Sequence, residues 1–313
     1  MSLIEQAAKR LEQLRQAGVE LPEQSQAEQI SISPSPYDKE LPLAATSEKA
    51  APPTAPAKAT VHPASIQTTL DLDAIAATGL LVPNAARSQL ADEFRVIKRP
   101  LIANAMGKGI EPISNGNLIM VTSALPGEGK SFTAINLAIS IAMELDNTVM
   151  LVDADVARPS VLNMLGLPPA KGLLDVLQQN SVDISEVLLR TNIEKLSILP
   201  SGSPHPRATE LLASDTMVRL LDDMASRYND RIIVFDSPPL LLTTESRVLA
   251  THMGQVVIVV NAENTAQAAV KQAITTIESC PLKMMVLNQV RQAKADGYGY
   301  GYGYGYGYGN ENN

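Results

Sequence analysis

Two glycines, a glutamate, a lysine and a serine stand together as GEGKS, Gly127–Ser131, inside ALPGEGKSFTAINLAISIA. Glycines let backbone N–H groups approach phosphate oxygens, and a helix starting at the lysine turns its positive end on the same anion. Lys130 then reaches the β- and γ-phosphates, and the Ser131 hydroxyl binds Mg²⁺. Pro126, Gly127, Glu128, Gly129, Lys130, Ser131 and Phe132 are the expected nucleotide loop. The full pattern G-x-x-x-x-G-K-[ST] has glycine at its first place, where this chain has Ala124. A chance GKS in a plain loop is the competing reading, and the strand–loop–helix context disfavours it. Two acidic stations follow apolar runs: Asp153 and Asp155 in VMLVDADVARPS, and Asp236 in RIIVFDSPP. Each alone suits a cap or a turn. Beside a phosphate loop they make a site of hard oxygen ligands for Mg²⁺, with Ser131, Asp155 and Asp236 as the metal set.

Such side chains must be delivered by strands. Near-continuous apolar runs occur at Asn117–Ser123, Thr148–Ala154, Leu196–Gly202, Arg231–Ser237, Gln255–Asn261 and Lys283–Gln289. Continuous rather than alternating apolar character indicates strands covered on both faces, as in a parallel sheet. Helical patterns lie between them, including Ala208–Tyr228 and Thr265–Ser279, and SQLADEFRVIKRP reads as a helix ending at Pro100. The predicted fold is α/β: a P-loop NTPase with a mostly parallel sheet and helices on both faces. Ligands then bind outside the carboxyl ends of the strands, where the aspartates sit.

The ends differ in kind. Residues 1–18 carry Leu3, Ile4, Ala7, Leu11 and Leu14 at helical spacing, an amphipathic helix that is either a solvated face or a docking element. Residues 19–87 read as a disordered linker, with eight prolines before Ser65. The globular domain is expected over residues 88–294. The tail, residues 295–313, holds six of the eleven aromatic residues as Tyr298, Tyr300, Tyr302, Tyr304, Tyr306 and Tyr308, each flanked by glycine. Glycine at every second place leaves no face to bury, so the tail is expected to be flexible.

Net charge is −8 and the pI about 5.0, which excludes a global basic field for nucleic acid. Cys280 is the lone cysteine, so no intrachain disulfide can form and a reducing compartment fits. No apolar run reaches the roughly 20 residues of a membrane-spanning helix. His62, His205 and His252 have no metal-site spacing.

The ordered set of motifs resembles the bacterial tyrosine kinases of exopolysaccharide synthesis. SALPGEGKS resembles the family's Walker A segment, which also lacks the first glycine, LVDADVARP its Walker A′, and IIVFDSPP its Walker B. PHPRATELLAS and VLNQV resemble the stretch before Walker B and the last core strand, and the tyrosine cluster completes the set. The family's arginine after Walker A′ is usually doubled; Ala157 replaces one and Arg158 remains. DEFRVIKR is similar to an E-x-x-R-x-x-R oligomerisation motif, with Asp92, Arg95 and Lys98 in its places. The competing reading of that stretch is an ordinary charged helix face. The resemblance implies an ATP- and Mg²⁺-dependent autokinase with Lys130, Asp153 and Asp155 as catalytic residues. Asp153 orients or accepts the tyrosine proton, and Asn288 touches the adenine or merely ends its strand. The six tail tyrosines are the phosphoacceptors. The implied partners are further copies in a ring, a transmembrane polysaccharide co-polymerase as activator, and a cognate tyrosine phosphatase. A stand-alone cytoplasmic kinase recruited to the inner face of the plasma membrane is implied, closest to the exosortase-associated subgroup. The alternative is a partitioning or cell-division ATPase switch, but its second P-loop lysine is Leu125 here. A nucleotide-binding scaffold without turnover is the third class.

Overall fold

The computed structural model describes residues 66–83, 88–109, 111–178, 182–227 and 231–291, all within the compact unit Thr60–Asn313. The amphipathic start, the Pro-rich stretch and the tyrosine tail lie outside the described residues. The strands are β1 (Ile66–Gln67), β2 (Leu118–Ser123), β3 (Thr148–Asp153), β4 (Leu189–Arg190), β5 (Leu196–Leu199), β6 (Arg231–Asp236), β7 (Gln255–Asn261) and β8 (Leu282–Asn288). They form one sheet in the order β1-β4-β5-β3-β6-β2-β7-β8, parallel except between β4 and β5.

The apolar runs behave as two-faced strands should. Along β2, Leu118 and Met120 join one buried cluster, and Ile119 and Val121 join the other. On β6, Ile233 and Phe235 face the first cluster, Ile232 and Val234 the second. Every residue of β2 and β7 is buried, so helices cover both sides and a parallel sheet results.

The α-helices are α1 (Leu72–Ala77), α2 (Gln89–Ala105), α3 (Lys130–Ala142), α4 (Val161–Met164), α5 (Leu173–Gln178), α6 (Ile184–Val187), α7 (Ala208–Leu212), α8 (Asp215–Arg227), α9 (Glu245–Thr251) and α10 (Gln267–Thr275). Three expectations need correction. The helix expected to stop at Pro100 runs on to Ala105. Proline frees the carbonyl four residues back, that of Val96, and Val96 is 73% exposed, so water can satisfy it. The single helix expected over Ala208–Tyr228 is two, because the Ser214 hydroxyl accepts from the Met217 N–H and caps the second. The linker expected to run to residue 87 ends earlier: β1 and α1 are folded, and Leu70, Ile75, Leu80 and Leu81 are buried in the second cluster. The Asn136 side chain of α3 accepts from the Leu81 N–H at 2.7 Å, and Asn192 brackets the Leu70 backbone with two hydrogen bonds.

Helix α2 lies against α3, and one of the residues matched to the oligomerisation motif makes that contact. Lys98 is 4% exposed; its ammonium donates to the Ser140 carbonyl at 2.5 Å and pairs with Glu144 at 2.6 Å. A cation at the last turn of α3 complements the helix dipole. Asp92 and Arg95 stay on the surface, paired with each other.

Replacing Leu70 with alanine is expected to cost about 2–5 kcal/mol, as for any well-packed core leucine. Urea unfolding measures it, and a midpoint unchanged from wild type would show that this segment does not belong to the folded domain.

Candidate active site

Strand β2 ends at Ser123 and α3 begins at Lys130, so the loop between them lies at the carboxyl edge of the central strands. Two glycines give it its shape. Gly127 and Gly129 have φ of 81° and 92°, the left-handed region that L side chains rarely adopt. A Cβ on Gly129 would also stand 2.1 Å from the Asn288 side-chain nitrogen. Gly129 is the N-cap of α3 and offers no side-chain cap, so the first N–H groups of a 13-residue helix are left for a ligand.

The loop is braced from behind. Glu128 belongs to the expected nucleotide loop; its side chain is turned inward, 2% of the residue being exposed, which leaves its backbone rather than its carboxylate for a nucleotide. It accepts from the Leu125 N–H at 2.6 Å, from the Asn261 N–H at 3.4 Å and from the Thr265 hydroxyl. Asn288, expected either to touch the adenine or merely to end its strand, donates to the Glu128 carbonyl at 2.9 Å, and Gln289 donates to the Gly127 carbonyl at 3.2 Å. The ends of β7 and β8 thus hold the loop from one side. Thr265, Asn261 and Gln289 carry no sequence pattern that marks them, because the contacts join residues 28 to 162 positions apart.

The carboxylates hold the other side. In the sheet, β6 and β3 lie on one flank of β2 and β7 and β8 on the other. Asp153 and Asp236 are direct cross-strand neighbours, the last residues of β3 and β6. Lys130 extends between the acidic stations, its ammonium 2.6 Å from Asp155 and 3.9 Å from Asp236. The Ser131 hydroxyl accepts from the Ser160 hydroxyl at 2.8 Å. Asp153 accepts from the Ser160 and Val161 N–H groups at 3.2 and 3.1 Å. The structure therefore brings Lys130, Ser131, Asp153, Asp155 and Asp236 together, as the sequence motifs require. Phe132 instead packs against the second core cluster.

This assembly carries uncompensated negative charge. Asp153 Oδ1 and both Asp236 oxygens are buried without a hydrogen-bond partner. Burial, then the charges of Asp236 and Asp155, push the Asp153 carboxyl up to about 7, against its hydrogen bonds from Val161 and Ser160. Burial pushes Asp236 up to about 6, although Lys130 and Ser131 pull it down. Among the described residues no group of three or more His, Cys, Asp or Glu stands close enough to hold a metal ion by itself. Mg²⁺ does not need one: it keeps several waters and takes one or two carboxylates plus substrate phosphates. Orphaned buried carboxylate oxygens beside a free helix N-terminus fit a magnesium nucleotide.

Residues 116–289 match the family model described as an AAA domain. The chain is 32% identical over 182 residues, 58% of its own length and 75% of the other's, to the tyrosine-protein kinase YwqD of Bacillus subtilis (strain 168). It belongs to the bacterial tyrosine kinases. It is also 28% identical over 187 residues to the tyrosine-protein kinase wzc of Salmonella typhimurium (strain LT2), covering 59% of itself but 25% of that longer protein. Among solved structures, the chimerical protein CapA2B2 is similar at TM-score 0.55 and 27% identity, over 71% of this chain and 93% of that one. Among the described residues of this kinase, no helix is long and apolar enough to cross a membrane.

Glu128→Ala is expected to raise the KM for ATP by roughly tenfold, the cost of one or two lost buried hydrogen bonds on an otherwise intact loop. Glu128→Gln keeps one acceptor and should recover part of it. Steady-state kinetics of both variants check this, and an unchanged KM in Glu128→Ala would remove the brace.

Proposed function

We propose that this chain is an ATP-dependent tyrosine autokinase that phosphorylates Tyr298–Tyr308 on a second copy, and thereby regulates exopolysaccharide synthesis or export. The observation that carries the reading is Lys130 held between Asp155 and Asp236 beside an uncapped helix start, in a chain that carries six glycine-flanked tyrosines over residues 298–308. Membership in a family whose relatives bear the name tyrosine-protein kinase supports it.

Residues of the loop and the acidic stations divide the work. Backbone N–H groups from Gly127 to Lys130 bind phosphate oxygens, and Lys130 offsets charge that develops during transfer. Ser131, Asp155 and Asp236 would hold Mg²⁺, which, when bound, neutralises phosphate charge and aligns the terminal phosphoryl group. As the bond from the phenol oxygen to the γ-phosphorus forms, the bond from that phosphorus to the bridging oxygen breaks. ADP departs with the electron pair. The phenol proton goes to a carboxylate, a role we assign to Asp153, whose carboxyl is raised by burial and by the neighbouring Asp236. Catalysis of this kind is mostly positioning and charge stabilisation.

The proposed partners are further copies in a ring, through Asp92 and Arg95 on the surface of α2, and a transmembrane co-polymerase that recruits the kinase to the cytoplasmic face of the membrane. Phosphotyrosine carries about −1.5 to −2 charges, so six would add on the order of −9 to −12 to a chain at −8. Repulsion of that size loosens a ring of identical subunits, an effect lost if phosphorylated and unphosphorylated protein sediment alike.

Incubation with ATP and Mg²⁺ followed by mass spectrometry is expected to place phosphate on Tyr298–Tyr308 in wild type, and none in Lys130→Met. Release of free phosphate without tyrosine modification would support an ATPase switch and contradict the kinase.

A further inference from the structure

Strand β8 closes one end of the sheet, and among the described residues nothing pairs with its outer edge. It is seven residues long and contains no proline. Its one charged side chain is engaged elsewhere: the Lys283 ammonium donates to the Glu278 and Cys280 carbonyls at 3.2 and 2.6 Å. Neither proline nor an outward charge therefore blunts this edge, as they blunt most. Its apolar side chains are also bare, with Met285 61% and Leu287 67% exposed. A groove of about 420 Å³ lies between α2 and β8, lined by Leu90, Phe94, Val96, Ile97, Met285 and Leu287. Glu93 stands in the same lining and accepts from the Gln89 amide at 2.8 Å. A free edge beside an apolar groove is a receptor for an extended segment, the edge bonding its backbone and the groove taking alternate side chains.

The chain's own tail has the matching pattern. In extended backbone successive side chains point to opposite faces, so a tyrosine–glycine repeat carries every ring on one face and none on the other. By itself that face has nothing to bury against, which is why the repeat alone is expected to be flexible; the α2–β8 groove supplies the missing surface. The tail also begins in the right place. β8 ends at Asn288, Gln289 leaves the strand conformation with a φ of 57°, and Arg291 is tied to Glu263 at 3.0 Å. Residues 289–297 are enough to turn back, and residues 298–308 then run antiparallel to β8. A seven-residue strand is matched by seven residues of repeat, which carry three or four of the six rings.

We propose that the unmodified Tyr298–Tyr308 segment adds to the outer edge of β8 in its own chain and lays its rings in the α2–β8 groove, and that phosphate on those rings releases it. The docking does not depend on the kinase reading above; the release rests on it. Methionine, leucine and valine side chains suit an aromatic ring, and Met285 adds a sulfur contact. A phenol hydroxyl can donate to the Glu93 carboxylate. A phosphate cannot: it brings about −1.5 to −2 charges next to a carboxylate and against an apolar lining. Rings in the groove are withheld from a second copy, while the two or three beyond the reach of β8 stay available. The edge of the sheet thus distinguishes a tail that has been modified from one that has not.

The test uses the full chain, stripped of phosphate with a phosphatase. Six of its eight tyrosines are in the tail and it has no tryptophan, so tyrosine emission reports the rings directly. Acrylamide quenching of that emission is expected to rise roughly twofold in Val96→Asp, because about half of the rings lie along the strand. Val96→Leu should behave as wild type. Hydrogen exchange at the β8 amides that do not bond to β7 should quicken in Val96→Asp and in a chain whose six tail tyrosines are serine. Equal exchange in wild type and the six-serine chain would overturn the docking. Protection that appears only as protein concentration rises would put a neighbour's tail on the edge and overturn docking within the chain. After Mg–ATP, wild type with a phosphorylated tail should exchange like the six-serine chain; β8 amides still protected there would overturn the release. A tail that takes up no phosphate would remove the kinase reading and the release with it, and the docking would still be decided on the unmodified protein.

Discussion

Two aspartates at the ends of adjacent central strands set the terms for the rest of the molecule. The register of β3 against β6 places Asp153 beside Asp236, both buried. Carboxylates so close and so dry repel each other and lose hydration, a cost that no folding advantage explains. Lys130 meets part of it by standing between Asp155 and Asp236. Oxygens of Asp153 and Asp236 remain unpartnered. The sheet tolerates this because its strands are apolar and covered on both faces, which concentrates polarity at their carboxyl ends. Stability given up there is recovered by binding a ligand that carries positive charge and phosphate together.

The sheet order divides that edge into two working halves. On one flank of β2, the ends of β7 and β8 grip the carbonyls of Gly127 and Glu128 through Gln289 and Asn288, and Glu128 reaches back to Asn261 and Thr265. On the other flank, β3 and β6 present carboxylates, and Pro238 and Pro239 after β6 continue the cleft. One side fixes the phosphate loop; the other meets the reacting end. Between them the loop needs glycine at 129, because its φ of 92° is one that L side chains rarely adopt, and a Cβ there would also displace the Asn288 amide.

Much of this was legible in the residues. Six apolar runs became the six main strands, and GEGKS, DAD and DSPP met at one edge, since strand periodicity and strand ends are local properties. Long-range contacts were not legible. Nothing near Glu128 says that it turns inward to Asn261 and Thr265 rather than outward to phosphate, and nothing near Lys98 says that its ammonium closes the end of α3. The folded segment around Leu70–Leu81 did carry a signal, with Asp71 as N-cap and apolar residues at helical spacing, but the proline-rich composition before it outweighed that signal. Pro100 misled for the opposite reason: a local helix breaker was tolerated where the carbonyl it frees belongs to an exposed residue, Val96.

The most direct measurement is stability against pH, without nucleotide, for wild type and Asp153→Asn. Raised carboxyl values mean that the folded state holds protons the unfolded chain releases near the ordinary aspartate value of 3.8, so these groups lower stability as pH climbs from about 4 to about 7. The variant should gain on wild type across that window, with the gap constant above it, and Mg–ADP should narrow the gap by stabilising wild type more. A difference between the two proteins that does not change with pH, or that Mg–ADP leaves untouched, would contradict a buried acidic pair built to receive a magnesium nucleotide.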